Sequence, residues 1–330
     1  MNRGILVGLV LIALFLASCN YLSENKNLVK ANQLFKKKDY ENAIALYDQV
    51  LAIDTLNSTA LYNKALSFEA IGKHLEAIQV ATFLIKHYPE DPRYRYVRAN
   101  NSYLIKNFES AKSDLTFLLA GQNDLDKNTL YLYRGLCFYG LEYYIQAIQD
   151  FSKVDLESAE STKALFFRGR SYEFLNSCDF AIRSYEKAIE YGHVHDKVYY
   201  RLGVCYEQLK ETQRALYYYN IAVRKNPANG PAYLRRGFIH FKKAMYNQAI
   251  QNYSKAIEVD SVNRPEALKG RCSSFLVIDS LVAAERDLSS LNELIPEDLF
   301  VMSLNQIINQ MKTKKEYNKD TLFQVIYDNL

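Results

Sequence analysis

Tryptophan is absent from this 330-residue chain, and glycine (12) and proline (6) are scarce. Tight turns draw on those last two residue types, so little is left with which to build a β-rich fold of many short strands. An excess of one charge is also missing: 41 basic residues face 37 acidic ones, a net of +4. The net becomes about +3 if Arg3 leaves with an N-terminal segment, too weak a balance to hold a nucleic acid, and no nucleic-acid partner is expected. The chemistry of an enzyme is missing as well. There is no glycine-rich phosphate loop, no His-Glu-x-x-His pair and no serine nucleophile elbow, so neither catalysis nor a cofactor is expected. The nearest approach to a metal site, His193-Val194-His195, has no third ligand in view and is read as a solvated loop.

What is present is a folded, tyrosine-rich chain. Hydrophobic residues make up 49% and charged residues 24%, too apolar for general disorder. The 27 tyrosines can fill a helical core with rings and still offer hydroxyls along a groove.

The N-terminus has the charge-then-apolar pattern of an export signal. Arg3 supplies one positive charge, and Gly4 to Leu16 is an unbroken apolar and glycine run. The run is short for a transmembrane span, and it ends in Leu16-Ala17-Ser18-Cys19. Small residues suit a peptidase cleft, and the Cys19 thiolate can accept a diacylglycerol. These four residues resemble the bacterial lipobox. An ordinary cleaved signal and an uncleaved anchor are the alternatives. The resemblance implies a signal peptide over 1–18, a lipidated tether over 19–23, and acyl chains such as palmitate on Cys19, more than one being what stable anchoring requires.

Beyond the tether the chain repeats. Alanine recurs at Ala43, Ala77, Ala111, Ala147, Ala181, Ala215, Ala249 and Ala284, at intervals of 34, 34, 36, 34, 34, 34 and 35 residues. A second series of small residues keeps nearly the same beat: Ala31, Ala65, Ala99, Gly135, Gly169, Gly203, Gly237 and Cys272. Each unit divides into two amphipathic segments. In one, Tyr200, Gly203, Tyr206 and Leu209 share a face, and after a turn at Glu211-Thr212 so do Ala215, Tyr218, Tyr219, Ala222 and Val223; spacings of three and four are helical. Asn226-Pro227, Tyr88-Pro89 and Ile295-Pro296 close units, because proline disfavours a continuing helix. Small residues allow the paired helices to approach closely.

A helix-turn-helix period of this length resembles the tetratricopeptide repeat family. The resemblance is carried by Gly169…Tyr172 and Gly203…Tyr206 in first helices, and by Ala181, Tyr185, Ala188, then Ala215, Tyr219, Ala222, then Ala249, Tyr253, Ala256 in second helices. The family's tryptophan is missing throughout, and its closing proline is missing from several units. The resemblance implies an all-α, right-handed α-solenoid of about eight hairpins, approximately 24–57, 58–91, 92–125, 128–161, 162–195, 196–229, 230–263 and 265–298. Residues 299–330 are expected to form C-terminal capping helices, with Thr321 and Gln324 as a capping box. The two extra residues near 121–127 are read as a longer loop, a hinge being the alternative. Cys137, Cys205 and Cys272 are expected to be small core residues; a bridge between Cys178 and Cys205 is the alternative for that pair. Lys36-Lys37-Lys38 reads as a solvated helix end, an anionic membrane surface being the other reading. Arg98, Arg134, Arg168 and Arg236 recur once per repeat and predict a structural ladder of ion pairs.

The resemblance also implies a concave groove along the first helices that takes partner peptides or helices. Residues projected onto it are Asn32, Phe35, Tyr62, Asn63, Arg93, Tyr96, Asn100, Tyr103, Tyr139, Arg170, Glu173, Tyr200, Glu207 and Phe241, although the same rings pack as well between helices. The carboxylate clamp of chaperone-binding members is matched by Asn32, Asn63 and Arg93 only, with Leu28 and Val97 where basic residues are expected. The functional expectation is a non-enzymatic, membrane-anchored scaffold for protein partners in the bacterial envelope, with the lipid as its membrane contact. Asn20, in place of an inner-membrane-retaining aspartate, points to the outer membrane facing the periplasm, with display at the cell surface as the alternative. A ligand- or glycan-binding accessory subunit of an envelope complex is the second expectation.

Overall fold

The period resolves into paired helices. A computed structural model describes residues 26–192 and 194–313, and among them every regular element is an α-helix. Residues 26–36 form α1. Then follow α2 (Tyr40–Leu51), α3 (Ser58–Ala70), α4 (His74–His87), α5 (Pro92–Leu104), α6 (Phe108–Ala120), α7 (Lys127–Gly140), α8 (Tyr144–Phe151) and α9 (Ser161–Phe174). The remainder are α10 (Cys178–Glu190), α11 (Asp196–Gln208), α12 (Thr212–Lys225), α13 (Gly230–Lys242), α14 (Tyr246–Val259), α15 (Arg264–Val277), α16 (Leu281–Leu294) and α17 (Leu299–Lys312). The lipobox with Cys19, His193 and the 321–324 capping box lie outside the described residues.

Odd and even helices are joined by three-residue turns of one construction. The middle residue is left-handed each time: Lys38, Gly72, Lys106, Glu142, Asn176, Lys210, Ala244 and Asp279. Its amide donates to the carbonyl three residues back, and the next amide to the carbonyl five residues back. Lys210 N–H reaches Glu207 O at 2.9 Å and Glu211 N–H reaches Tyr206 O at 2.8 Å, the Schellman pattern that satisfies the last carbonyls of a helix. A fold that turns this way on lysine, glutamate and alanine needs few glycines.

The two small-residue series are the helix contacts. All eight alanines of the second helices are fully buried, as are Ala31, Ala65 and Cys272 of the first. At Gly135, Gly203 and Gly237 of the first helices an aromatic ring of the second packs directly against the glycine. A Cβ on Gly135 would come within 2.6 Å of Phe151, and one on Gly237 within 2.7 Å of Tyr253; Gly203 leaves no room against Tyr219 either.

One residue before these contacts runs the expected ladder. Arg98 meets Asp114 at 2.7 and 2.8 Å, Arg134 meets Asp150 at 2.6 and 2.8 Å, and Arg271 meets Asp287 at 2.8 and 2.6 Å, all bidentate. The three carboxylates are buried, and such pairs survive burial because each charge is matched and hydrogen-bonded. Arg236 departs from the pattern: Asn252 stands at the acidic position, and Arg236 Nε has no hydrogen-bond partner among the described residues.

The described residues fall into two units, one ending at Ser171 and one beginning at Tyr172. Within each, successive helices pack in chain order, giving an all-α solenoid. The extra residues lie in the first unit between α6 and α7, where Asn123 Nδ2 donates to Leu118 O at 2.7 Å. In the second unit, α17 lays Phe300, Val301, Leu304 and Ile308 over the apolar faces of α15 and α16.

Candidate partner-binding cleft

In the second unit one position of the repeat carries a buried tyrosine three times over, and two of these start a rung. The tyrosine four residues after the buried alanine (Tyr185, Tyr219, Tyr253) points its hydroxyl toward the odd-numbered helices. The Tyr219 hydroxyl donates to Glu207 Oε2 at 2.7 Å, and Glu207 Oε1 accepts from Arg235 Nη1 at 3.5 Å. One repeat earlier Tyr185 donates to Glu173, which accepts from Arg201 Nη1 at 3.4 Å. Burial first, and then the Glu207 charge, hold the Tyr219 hydroxyl well above the ordinary phenol range. Burial works against the charge of Arg235, but Glu207, Tyr219 and Tyr200 outweigh it and raise its pKa.

Beside these rungs lies a cleft of about 610 Å³ over α11, α13 and α15. Asn229 caps α13 by accepting from the Ala232 amide at 3.0 Å, and Pro231 fits the first turn because it has no amide to satisfy there. The helix so started presents Leu234, Arg235 and Phe238 to the cleft. Tyr200 and Arg201 come from α11, Glu266 and Lys269 from α15, and the Tyr253 ring from α14. Tyr200 packs against Tyr219 with ring centroids 5.8 Å apart, and Lys269 Nζ is held by Asp298 at 2.7 Å. Apolar walls with a few fixed polar groups suit a side chain of a partner.

Among the residues projected onto a groove, Tyr200 alone lines this cleft. Glu173 and Glu207 are committed to the tyrosine–arginine rungs. Phe241 is 1% exposed within the core; the placement on the groove is corrected, since its ring packs edge-on against Tyr246 at 5.5 Å and inside the last hairpins. In the first unit the projected residues largely meet one another or their neighbours. Asn32 Oδ1 accepts from Tyr47 Oη and Asn63 Nδ2, both at 2.8 Å. Arg93 is paired with Asp91 at 2.6 Å and lies over the Tyr62 ring at 5.2 Å. Asn100 donates to Glu69 Oε1 at 2.8 Å. Phe35 packs on Tyr40, Tyr103 on Tyr133, and Tyr139 on Phe167, with centroids 5.6, 5.3 and 5.3 Å apart. Tyr96 is half-buried against the core around Leu115 and Leu118, and Arg170 is half-buried near Tyr144. The partial clamp is thus internally engaged, and Val97 is buried.

Arg235, Phe238, Tyr253 and Lys269 were not legible as cleft residues by projection. The available signal was a break in the series: Glu173 and Glu207 give way to Phe241, and Arg201 and Arg235 give way to Gly270. Elsewhere, all four described cysteines are buried free thiols, Cys178 donating to Gln208 Oε1 at 2.6 Å. Among the described residues no cluster of three His, Cys, Asp or Glu side chains could hold a metal, and no helix is long and apolar enough to cross a membrane.

Stacked helical hairpins of this kind define a repeat scaffold for protein–protein interaction. Tetratricopeptide repeat family models match residues 28–92 and 166–230, and another matches 230–263. The chain belongs to the tetratricopeptide repeat family, whose members are generally non-catalytic scaffolds. It is similar in structure to the C-terminal part of a TPR repeat-containing protein from Cytophaga hutchinsonii (TM-score 0.63, 20% identity, 74% of this chain and 98% of that one). It is similar also to a tetratricopeptide repeat protein from Parabacteroides merdae (TM-score 0.54, 19% identity, 76% and 99%). A third likeness is to the APC/C hetero-tetramer Cut9–Hcn1 (TM-score 0.50, 15% identity, 86% and 55%). These likenesses establish the fold. Curated protein sequences give no match.

Proposed function

We propose that the protein is a lipid-anchored scaffold of the bacterial cell envelope that holds protein partners against its odd-numbered helices and performs no catalysis itself. The observation that carries the binding half is the cleft over α11, α13 and α15, where Tyr200, Leu234 and Phe238 offer apolar area beside the Arg235 and Lys269 cations. Aromatic anchors flanked by fixed charges are the usual composition of a recognition hot spot. The tether half rests on Leu16-Ala17-Ser18-Cys19 behind an apolar run, and Asn20 supports the outer membrane facing the periplasm. A ligand- or glycan-binding accessory subunit of an envelope complex is the second reading, favoured only by the cleft's volume, which falls in the range of small-ligand sites.

Crosslinking in intact cells followed by purification from membranes tests both halves. The wild-type chain is expected to bring down a discrete protein partner. Replacing Tyr200 and Phe238 together with Ala should lower that capture at least about tenfold while leaving helical content intact. Capture unchanged by the double substitution would remove the cleft from the interface. Cys19→Ala should move the chain out of the membrane fraction and abolish fatty-acid labelling; labelling that persists in Cys19→Ala refutes the lipid anchor.

A further inference from the structure

The Tyr253 hydroxyl is a buried polar group of the cleft with no hydrogen-bond partner among the described residues. In the two preceding repeats the corresponding tyrosine is answered in full: Tyr185 by Glu173 and Arg201, Tyr219 by Glu207 and Arg235. Register fixes the comparison. The glutamate stands four residues after the small residue of the first helix, at 173 and 207. The arginine stands two residues before the small residue of the next first helix, at 201 and 235. In the third repeat the same two positions hold Phe241 and Gly270. Both charged groups of the rung are gone, and the tyrosine remains.

Geometry makes the omission specific. Tyr253 is 1% exposed and its hydroxyl oxygen has no hydrogen-bond partner among the described residues. Gly270 lies directly against the tip of the Tyr253 ring, so closely that a Cβ there could not be accommodated. Glycine in mid-helix is otherwise unfavourable relative to alanine by about 1 kcal/mol, so the close approach of α15 to the tip of the Tyr253 ring is kept at a cost. A buried hydroxyl left unpaired is a further cost, which an arriving acceptor would remove. The cleft lined by the Tyr253 ring is walled by Leu234 and Phe238 and carries Arg235, Lys269 and Glu266.

We propose that an internal glutamate side chain of the bound partner, flanked by aliphatic residues, enters this cleft and completes the third rung from outside. Its carboxylate accepts the Tyr253 hydroxyl as Glu207 accepts that of Tyr219. Arg235, shared with Glu207, and Lys269, shared with Asp298, lend it positive potential in a lining that also carries Glu266, and its methylenes and aliphatic neighbours lie on Leu234 and Phe238. The partner class is therefore an acidic peptide segment with apolar flanks. The inference rests on the scaffold reading above and adds the residue that the cleft selects.

End-blocked heptapeptides with a central Glu between leucines, and their Gln counterparts, are the probes. The full chain should bind the Glu peptide about tenfold more tightly than the Gln peptide, the difference a charge-assisted hydrogen bond carries. Tyr253→Phe, which removes only the hydroxyl, should abolish that preference while leaving the melting temperature unchanged or higher. Phe241→Glu should supply the carboxylate internally and block the Glu peptide. Equal affinity for the two peptides, no measurable affinity for either, or a lower melting temperature in Tyr253→Phe overturns the proposal, the last because the hydroxyl would then already be satisfied, as by an ordered water. If membrane crosslinking still captures a partner through Tyr200 and Phe238, such an outcome removes the glutamate subsite alone. If that capture fails as well, the scaffold reading falls with it.

Discussion

A left-handed backbone costs a residue with a Cβ about 1–2 kcal/mol relative to its right-handed form, yet seven of the eight hairpin turns place such a residue there. Asparagine and aspartate soften that cost by local hydrogen bonding, which accounts for Asn176 and Asp279. Ala244 has no such recourse. Ala244→Gly should therefore raise stability by about 0.5–1 kcal/mol, the relief of strain exceeding the entropy glycine brings to the unfolded chain. Urea midpoints at constant slope measure it, and a fall in midpoint would show that the turn tolerates its alanine. The turns explain how a chain with only 12 glycines and 6 prolines makes so many helical hairpins. The loop positions were evident from the flanking helical spacing, but left-handed conformation is imposed on Lys38 or Glu142 by the Schellman hydrogen bonds and by the packing of the helices on either side.

At the scale of the element, the helices divide by how they begin. Asp126 caps α7, accepting from the Asn128 amide at 3.2 Å and from the Thr129 amide and hydroxyl at 2.8 and 2.7 Å. The Thr129 hydroxyl first, and then the two amides, hold its carboxyl below the ordinary range against a burial that works the other way. A carboxylate depressed in the folded state contributes stability that is complete above its unfolded pKa and is lost as pH falls through the folded value. Asp126→Asn keeps a capping oxygen. It should leave the urea midpoint at neutral pH nearly unchanged and flatten part of its decline as pH falls through and below the ordinary carboxylate range. A decline identical to wild type would show that Asp126 titrates alike in both states. The Arg–Asp rungs were half legible: recurring arginines announced a ladder, but Asp114, Asp150 and Asp287 lie sixteen residues away on the opposite helix, beyond the reach of local periodicity.

For the whole molecule, the thiols report on both units. Burial pushes Cys137 up to about 12, and raises Cys205 and Cys272 well above the ordinary thiol range. A protonated, inaccessible thiol does not react, so none of the three should be alkylated in the native protein at about pH 8, where an exposed cysteine reacts readily. In a repeat array stability is passed between neighbours, and Cys205 and Cys272 share one unit. They should become reactive over the same urea range when alkylation is read peptide by peptide. Separate ranges would mean that the second unit opens hairpin by hairpin.

Periodicity and the small-residue register, which recur eight times, together with three proline stops were enough to determine an all-α hairpin array, because each is read from short-range spacing along the chain. The same repetition averaged away the information that distinguishes one repeat from the next. That Phe241 turns into the core, that Asn63 donates to Asn32, and that Tyr253 lines a cleft with no hydrogen-bond partner for its hydroxyl among the described residues depend on three helices meeting at once. Side chains some thirty residues apart settle those contacts through volume and hydrogen-bond demand, and only the packed structure brings them within reach of one another.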